Sequence, residues 1–270
     1  MSTNYPLGSG DAELERLNRQ GRVLAPATRV LLQAAGIGAG MRVLDLGTGT
    51  GDVAFVAAEL VGQEGEVVGI DLSPDAVAMA ENRARQRALD NTRFVVGDIH
   101  RAAPGGPFDA IVGRLVLMYS PDPATVLRTQ AALLRPGGVV APIELDLPSA
   151  RTLPPTPLVG RALSWMTDAF NRAGFASSLG TALWAILKEA GLRPLGMMGV
   201  QPHLGPRDPD GPALLADLIR GLLPVIERTG VATAHQVDVE TLETRLAEEL
   251  AAADAVFAPS PLLSAWGTTG

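Results

Sequence analysis

Between Val43 and Asp52 the chain reads Val-Leu-Asp-Leu-Gly-Thr-Gly-Thr-Gly-Asp, an apolar strand running straight into glycines at 47, 49 and 51. Few local patterns leave a chain so little freedom. Glycine at these positions permits a tight turn and lets a ligand lie against bare backbone, and the residues after Gly51 must open a helix. A second apolar run, Val67-Val68-Gly69-Ile70-Asp71-Leu72-Ser73-Pro74, ends on a carboxylate placed to receive ribose hydroxyls. The two runs together predict a nucleoside-binding β-α-β unit.

Charge separates the candidate nucleosides. Asp45 stands two positions before the first glycine and Asp52 just after the last. A diphosphate resting on the helix N-terminus would meet both negative charges. S-adenosylmethionine carries no phosphate. Its ammonium welcomes a nearby carboxylate, and its own carboxylate suits the backbone N–H groups and positive dipole of the helix after Gly51. The spacing G-x-G-x-G also lacks the G-x-G-x-x-G step of the dinucleotide fingerprint, so a nicotinamide dehydrogenase fits poorly.

Three further runs follow in order: Phe94-Val95-Val96-Gly97-Asp98-Ile99, Phe108-Asp109-Ala110-Ile111-Val112-Gly113-Arg114, and Leu134-Arg135-Pro136-Gly137-Gly138-Val139-Val140. With the two glycine and aspartate runs, they make the chain resemble the class I S-adenosylmethionine-dependent methyltransferases, and more closely their small-molecule bacterial members. The resemblance covers most of the sequence. It implies Asp45, Gly47 and Gly49 around the methionine end of the cofactor, Asp71 on the ribose, Asp98 and Ile99 at adenine, and Gly113 and Arg114 along the sulfonium, with Thr48 and Leu72 completing the contacting set. Thr48 stands where many relatives carry cysteine. The resemblance also implies a last strand that runs antiparallel between the fifth and sixth.

Alternating short apolar strands and helices predict an α/β fold, a doubly wound, mostly parallel seven-stranded Rossmann-like sheet with ligands beyond the carboxyl ends of its strands. Residues 1–270 read as one domain: an N-terminal helical cap over 1–38, a cofactor-binding core over 39–150, and helical lid or substrate insertions over 151–175 and 201–252. Helices are expected at 12–22 and 27–35, with Leu14, Leu17, Leu31 and Leu32 in phase. Others are expected at 52–60, from Ser73-Pro74 toward Leu89, and from Asp122-Pro123 to near Leu134. The fifth strand follows Pro136-Gly137-Gly138 over 139–145. From Leu158 to Ala173 apolar residues recur every three or four positions, as they do over 214–226 and 239–250. A helix over 181–190 and a strand over 195–200 lie between, and a strand at 255–258 is expected to complete the sheet. The loop 202–212, with four prolines, is the one segment expected to be flexible.

With 270 residues, 47% of them apolar, the chain can bury a substantial core. It has no cysteine, hence neither disulfide nor thiolate metal site, and no metal is expected. Residues 1–10 lack the basic and apolar regions of a signal peptide, and no apolar run is long enough to span a bilayer, so a cytoplasmic location is expected. The formal charge of -7 argues against nucleic acid. Arg83, Arg85, Arg87 and Arg93 read as a solvated helix face. The expected partner is a small, partly apolar methyl acceptor, and the chain is expected as a monomer or homodimer.

Methyl transfer from a sulfonium is an in-line displacement that calls for alignment, exclusion of water and, for a hydroxyl or protonated amine acceptor, a base. His203, on the rim after the sixth strand, is the first candidate, since histidine is the side chain suited to proton transfer near neutral pH and a parallel sixth strand puts this rim at the binding end. Glu144, at the exit of the fifth strand with Asp146, is a second candidate, since burial raises a carboxyl into the useful range. Tyr119 and Arg114 flank the expected methyl position. His100 is better suited to covering adenine, and His235 to solvent. Trp165, Met166, Trp184, Met197 and Met198 could wall an apolar pocket or simply form core. A non-methylating cyclisation or rearrangement by a cofactor-binding fold, and a non-enzymatic binding module, are the alternatives.

Overall fold

The computed structural model describes residues 11–102 and 105–269; in its first helix, side chains are described from Val23 onward. Leu14 and Leu17 lie outside those side chains, and Met1 to Gly10 outside the described residues. Contacts divide the chain into two compact units. One, the sheet unit, holds Ala25–Leu145, Leu179–Val200 and the C-terminal segment from Leu262. The other, the helical unit, holds Asp146–Ser178, Gln201–Pro261 and the chain up to Leu24.

The chain begins with α1 (Asp11–Ala34), then β1 (Arg42–Leu46), α2 (Asp52–Val61), β2 (Glu66–Asp71), α3 (Pro74–Gln86), β3 (Thr92–Val96), β4 (Phe108–Arg114), α4 (Pro123–Ala131) and β5 (Leu134–Leu145). After the short β6 (Arg151–Leu153) come α5 (Pro157–Arg172), α6 (Leu179–Glu189), β7 (Arg193–Val200), α7 (Asp210–Arg228), α8 (Ala234–Val237), α9 (Val239–Ala252), β8 (Val256–Ala258) and β9 (Leu262–Thr268).

Seven strands form one sheet in the order β3-β2-β1-β4-β5-β9-β7. β1 to β5 are mutually parallel, and β9 runs antiparallel between β5 and β7. Their central members are apolar on both faces, as a sheet covered by helices on each side requires. From β1 the chain moves outward to β2 and β3, then returns to place β4 against the other side of β1. Right-handed crossovers therefore put α2 and α3 on one face and α4 on the other, with the topological switch between β1 and β4.

The helix starts follow from their caps. The Ser73 hydroxyl accepts the Ala76 N–H at 3.2 Å and the Asp122 carboxylate accepts the Thr125 N–H at 2.9 Å, each followed by proline at the first helical position. Several expectations need correction. The two N-terminal helices are one, because burial of Ala27, Leu31 and Leu32 carries α1 through Pro26. β5 begins at Leu134, before the glycine turn, because Leu134 pairs with Phe108 across an irregularity in the ladder. Residues 255–258 do not complete the main sheet: β8 pairs antiparallel with β6 in the helical unit, and the seventh strand is β9.

The helical unit has its own core. α5, α7 and α9 pack together through Val159, Leu163, Met166, Leu215, Ile219, Leu242 and Leu246. The Glu249 carboxylate of α9 accepts the Leu158 and Val159 N–H groups and so caps α5. The proline loop is tied down near its start, where Leu204 bridges Phe257 of β8. Among the described residues no helix is long and apolar enough to cross a membrane.

In the sheet unit, β2 crosses the glycine loop at Gly69. A Cβ built there would stand 2.6 Å from the Thr48 hydroxyl oxygen and 2.7 Å from Phe94 Cδ1. Gly69→Ala should therefore cost about 1–3 kcal/mol of unfolding free energy in urea titration, the ordinary penalty of overpacking; unchanged stability would show slack at that crossing.

Candidate cofactor site

The chain leaves β1 through Gly47, Gly49 and Gly51, all with positive φ (60°, 53° and 92°). Two of the three are also crowded. A Cβ on Gly47 would stand 2.3 Å from Val116 Cγ2, and one on Gly51 would stand 2.6 Å from the Phe55 ring. Gly49 has nothing within 4 Å of that position, so the middle of the loop presents open backbone. The Thr48 N–H donates to the Ile70 carbonyl at 2.8 Å, which pins the loop to β2.

Asp45, on β1, is fully buried. Its Oδ2 accepts the Thr48 hydroxyl at 2.7 Å, whereas Oδ1 is buried without a hydrogen-bond partner among the described residues. Burial pushes this carboxyl up to about 7, against the Thr48 hydrogen bond and the Arg114 cation, which pull it down. Asp71, at the end of β2, accepts the Gly49 N–H and the Ser73 N–H, each at 2.9 Å. One carboxylate thus joins the glycine loop to the start of α3. Leu72 beside it is 56% exposed.

Beyond β3, Asp98 Oδ1 accepts both the backbone N–H and the Nδ1–H of His100 at 2.9 Å, hydrogen bonds that hold the Asp98 carboxyl below the usual range. His100 Nε2 lies 3.2 Å from the Ser120 hydroxyl in the loop after β4. The buried Gln130 amide of α4 donates to the Ile99 and Arg101 carbonyls at 2.7 and 2.6 Å. His100 and Gln130 hold this loop in shape. Gln130 had no signal in the sequence, being a single amide in a helix that reads as ordinary.

Gly113 ends β4 so tightly that a Cβ would stand 2.8 Å from the Leu46 carbonyl oxygen. Arg114 donates from Nη1 to the Thr28 hydroxyl of α1 at 2.8 Å, and burial lowers its pKa against the pull of Asp52 and Asp45. Tyr119 ends a short 3₁₀ turn, Leu117–Tyr119, and is 37% exposed. Glu144, at the end of β5, is fully buried; its Oε1 accepts the Val116 N–H at 3.1 Å and the Leu117 N–H at 2.8 Å. The sheet unit therefore brings Asp45, Gly47, Thr48, Gly49, Asp71, Leu72, Asp98, Ile99, Gly113, Arg114, Tyr119 and Glu144 to the carboxyl edge of its parallel strands.

His203 belongs to the helical unit, exposed in the loop after β7, with Nδ1 3.2 Å from the Gln201 carbonyl oxygen. His235 lies in the short α8 of the same unit and is exposed. Arg83 is not part of a solvated face. It donates to the Thr50 carbonyl and hydroxyl, both at 2.6 Å, and pairs with Asp52 at 2.8 Å over the Phe55 ring, so it clamps the glycine loop and neutralises Asp52. Trp165 and Met166 are core of the helical unit, whereas Trp184, Met197 and Met198 are exposed on α6 and on the edge strand β7 and so are not core. Among the described residues no group of His, Cys, Asp or Glu is arranged to hold a metal ion.

A doubly wound sheet with an antiparallel seventh strand, a glycine loop at the switch point and acidic residues ending β1, β2 and the β3 loop defines a Rossmann-like, nucleoside-binding methyltransferase fold. Residues 37–167 match the family described as "Methyltransferase domain". The chain is 36% identical over 149 residues to aklanonic acid methyltransferase of Streptomyces sp. (strain C5), covering 49% of this chain and 66% of that protein. It is 34% identical over 111 residues to demethylmenaquinone methyltransferase of Geobacillus kaustophilus, covering 41% and 47% respectively. The alignments thus span two thirds or less of these curated relatives. Geranyl diphosphate methyltransferase in complex with SAM has the same fold, with a TM-score of 0.56 at 16% identity over 97% of this chain and 92% of that one. Residues 37–167 are thus a methyltransferase domain of the class I S-adenosylmethionine-dependent kind, with S-adenosylmethionine as its cofactor. The residues present fit this group: the unpartnered Asp45 oxygen is what an ammonium would satisfy, and Gly49 offers bare backbone beside it.

The buried carboxyls set a pH dependence. In the unfolded chain Asp45 ionises near 3.8, but folded it keeps its proton to about 7. Between those values the folded state binds the extra proton, so stability is full below the lower value and falls as pH rises to the upper one, by up to about 1.4 kcal/mol per pH unit. Glu144, raised from 4.5 to about 8, acts in the same direction. Urea unfolding should give a lower free energy at about pH 7 than at about pH 5, and Asp45→Asn should reduce that slope and be the more stable protein at the upper pH. A flat profile in the wild type would contradict the assignment.

Proposed function

We propose that this chain transfers a methyl group from S-adenosylmethionine to an oxygen, nitrogen or carbon atom of a small, partly apolar metabolite, in the manner of a natural-product or quinone tailoring enzyme. The observation that carries the reading is the fully buried, half-partnered Asp45 beside an open glycine loop, a site built for a cation attached to a nucleoside. The acceptor class is supported by relatives named for aklanonic acid and demethylmenaquinone.

When bound, the cofactor supplies an electrophilic methyl group on a positively charged sulfur. In this reading Asp45, with Thr48, Gly47 and Gly49, takes the ammonium and the rest of the methionine end; Asp71 and Leu72 hold the ribose; Asp98 and Ile99 hold adenine; and Gly113 and Arg114 line the side of the sulfonium. Tyr119 borders the acceptor. His203 is the candidate base. Because a carbonyl can only accept, Nδ1 of His203 must donate to Gln201, which leaves Nε2 as the nitrogen able to take a proton. The chain departs into the helical unit from the carboxyl end of β5 and again from that of β7, the edge at which such sheets bind ligands. This connectivity supports assigning acceptor selectivity, a lid function, to the helical unit.

Calorimetric titration should detect S-adenosylhomocysteine binding and no NAD binding, and incubation with labelled S-adenosylmethionine and a metabolite extract should yield a product heavier by one methyl group. Binding of NAD alone would overturn the reading. Asp71→Ala should weaken S-adenosylhomocysteine binding by about 1–3 kcal/mol, since it removes both the hydroxyl acceptor and the brace on Gly49. His203→Ala should lower turnover at least about tenfold with cofactor affinity unchanged; full activity in that variant would remove His203 from the chemistry.

A further inference from the structure

Glu144 is a carboxyl at the ligand-binding edge of the sheet that the scheme above leaves without a task. Its surroundings suit a base poorly. The side chain is wholly buried, and Oε1 already accepts two backbone N–H groups, those of Val116 and Leu117. Both belong to the loop after β4, the segment that links Arg114 to Tyr119.

That loop needs holding. Leu115 adopts φ 56°, a left-handed conformation that is unfavourable for a branched side chain and persists only where the surroundings impose it. The next residue, Val116, lies so close to the glycine loop that a Cβ on Gly47 would overlap its side chain. Beneath, Val116 and Leu117 border a small apolar gap with Leu46, Leu127, Val140 and Pro142, which offers no polar partner. What fixes the loop is therefore polar and comes from β5: the Leu115 N–H donates to the Ile143 carbonyl at 2.9 Å, and the next two N–H groups go to Glu144.

We propose that Glu144 is a positioning residue, whose carboxyl oxygen gathers the Val116 and Leu117 N–H groups and so sets the loop that flanks both the glycine cradle and the methyl-transfer side of the cofactor. The inference rests on the methyltransferase reading for its functional meaning. Burial pushes the Glu144 carboxyl up to about 8, so near neutrality the group is uncharged and Oε1 serves as a carbonyl-like acceptor. The carbonyl of a glutamine can occupy the same place and accept the same two hydrogens.

The test compares wild type, Glu144→Gln and Glu144→Ala by three readouts: amide hydrogen exchange at Val116 and Leu117, S-adenosylhomocysteine affinity, and formation of the methylated product found with the wild-type enzyme. Glu144→Gln should keep both amides protected and retain affinity and turnover within about threefold. Glu144→Ala should exchange those amides at least about tenfold faster and lose at least about tenfold in turnover, with its melting curve verifying that it folds. An inactive Glu144→Gln that still binds S-adenosylhomocysteine would make Glu144 the base and overturn the proposal, a result that stands even if Glu144→Ala does not fold. Protected amides in a folded Glu144→Ala would overturn it equally. A wild type that binds no S-adenosylhomocysteine would instead defeat the methyltransferase reading, while the exchange data would still decide whether Glu144 holds the loop.

Discussion

The absence of a side chain where three backbones meet is the constraint on which the sheet unit depends. At the switch point the glycine loop after β1 meets Val116 at Gly47 and Gly69 of β2 at Thr48, and a single carbon at 47, 69 or 113 would collide with atoms under 3.0 Å away. Close approach of this kind is what lets the Thr48 N–H reach the Ile70 carbonyl and the Asp71 carboxylate reach the Gly49 N–H. The cradle is thus formed by backbone from two strands and a loop, each held by another, and its shape does not wait for a ligand.

Charge around this cradle is arranged in pairs that differ in kind. Arg83 and Asp52 form an ion pair whose side chains are only 12% and 19% accessible, and Arg83 also donates to Thr50, so the clamp is mostly buried and fully bonded. Asp45 is buried and Arg114 half-buried; they influence each other's ionisation and yet share no hydrogen bond, and each is bonded instead to a threonine, Thr48 and Thr28. A buried carboxyl without full pairing is destabilising in the absence of a cationic partner. Neutralising Asp52 by Arg83 also changes the simple electrostatic argument drawn from the sequence: Asp45 is left as the discriminating acid, because a cation beside it favours its charged form whereas a diphosphate does not.

What could be read from the sequence was what is local. The β-α-β unit, both Ser/Asp-Pro helix starts and the amphipathic helices α5, α7 and α9 follow from residues within a few positions of one another, and they are found within a few residues of the expected limits. What could not be read required a partner far along the chain. Val256-Phe257-Ala258 is as good a strand as any in the main sheet, but pattern alone cannot tell that its partner is Arg151–Leu153. Leu262–Thr268, with serine, glycine and tryptophan in its middle, has a weaker signal and a stronger position, flanked on both sides. Arg83 reads as solvent-facing because its helix does; its contacts are to residues some thirty positions earlier. Gln130 is invisible for the same reason. Of the candidate site, the cofactor-contacting residues were legible because glycine spacing and strand-end carboxylates are local signals, whereas a base for an unidentified acceptor is defined by geometry that no spacing encodes.

Two fully buried acids, Asp45 and Glu144, end adjacent parts of the same sheet edge, and burial raises both. Their partners set them apart. Glu144 has two backbone donors from its own unit at Oε1, while its Oε2, like Oδ1 of Asp45, is buried without a hydrogen-bond partner among the described residues. Asp45 has one hydroxyl donor, a cation nearby but not bonded to it, and a loop with bare backbone alongside. Introducing a cationic group next to Asp45 favours its charged form and releases the proton, while nothing about such a ligand favours ionising Glu144. Ligand affinity should accordingly rise with pH through the range in which Asp45 would otherwise hold its proton, which couples the site's charge to its occupancy and leaves the loop held by Glu144 unaffected.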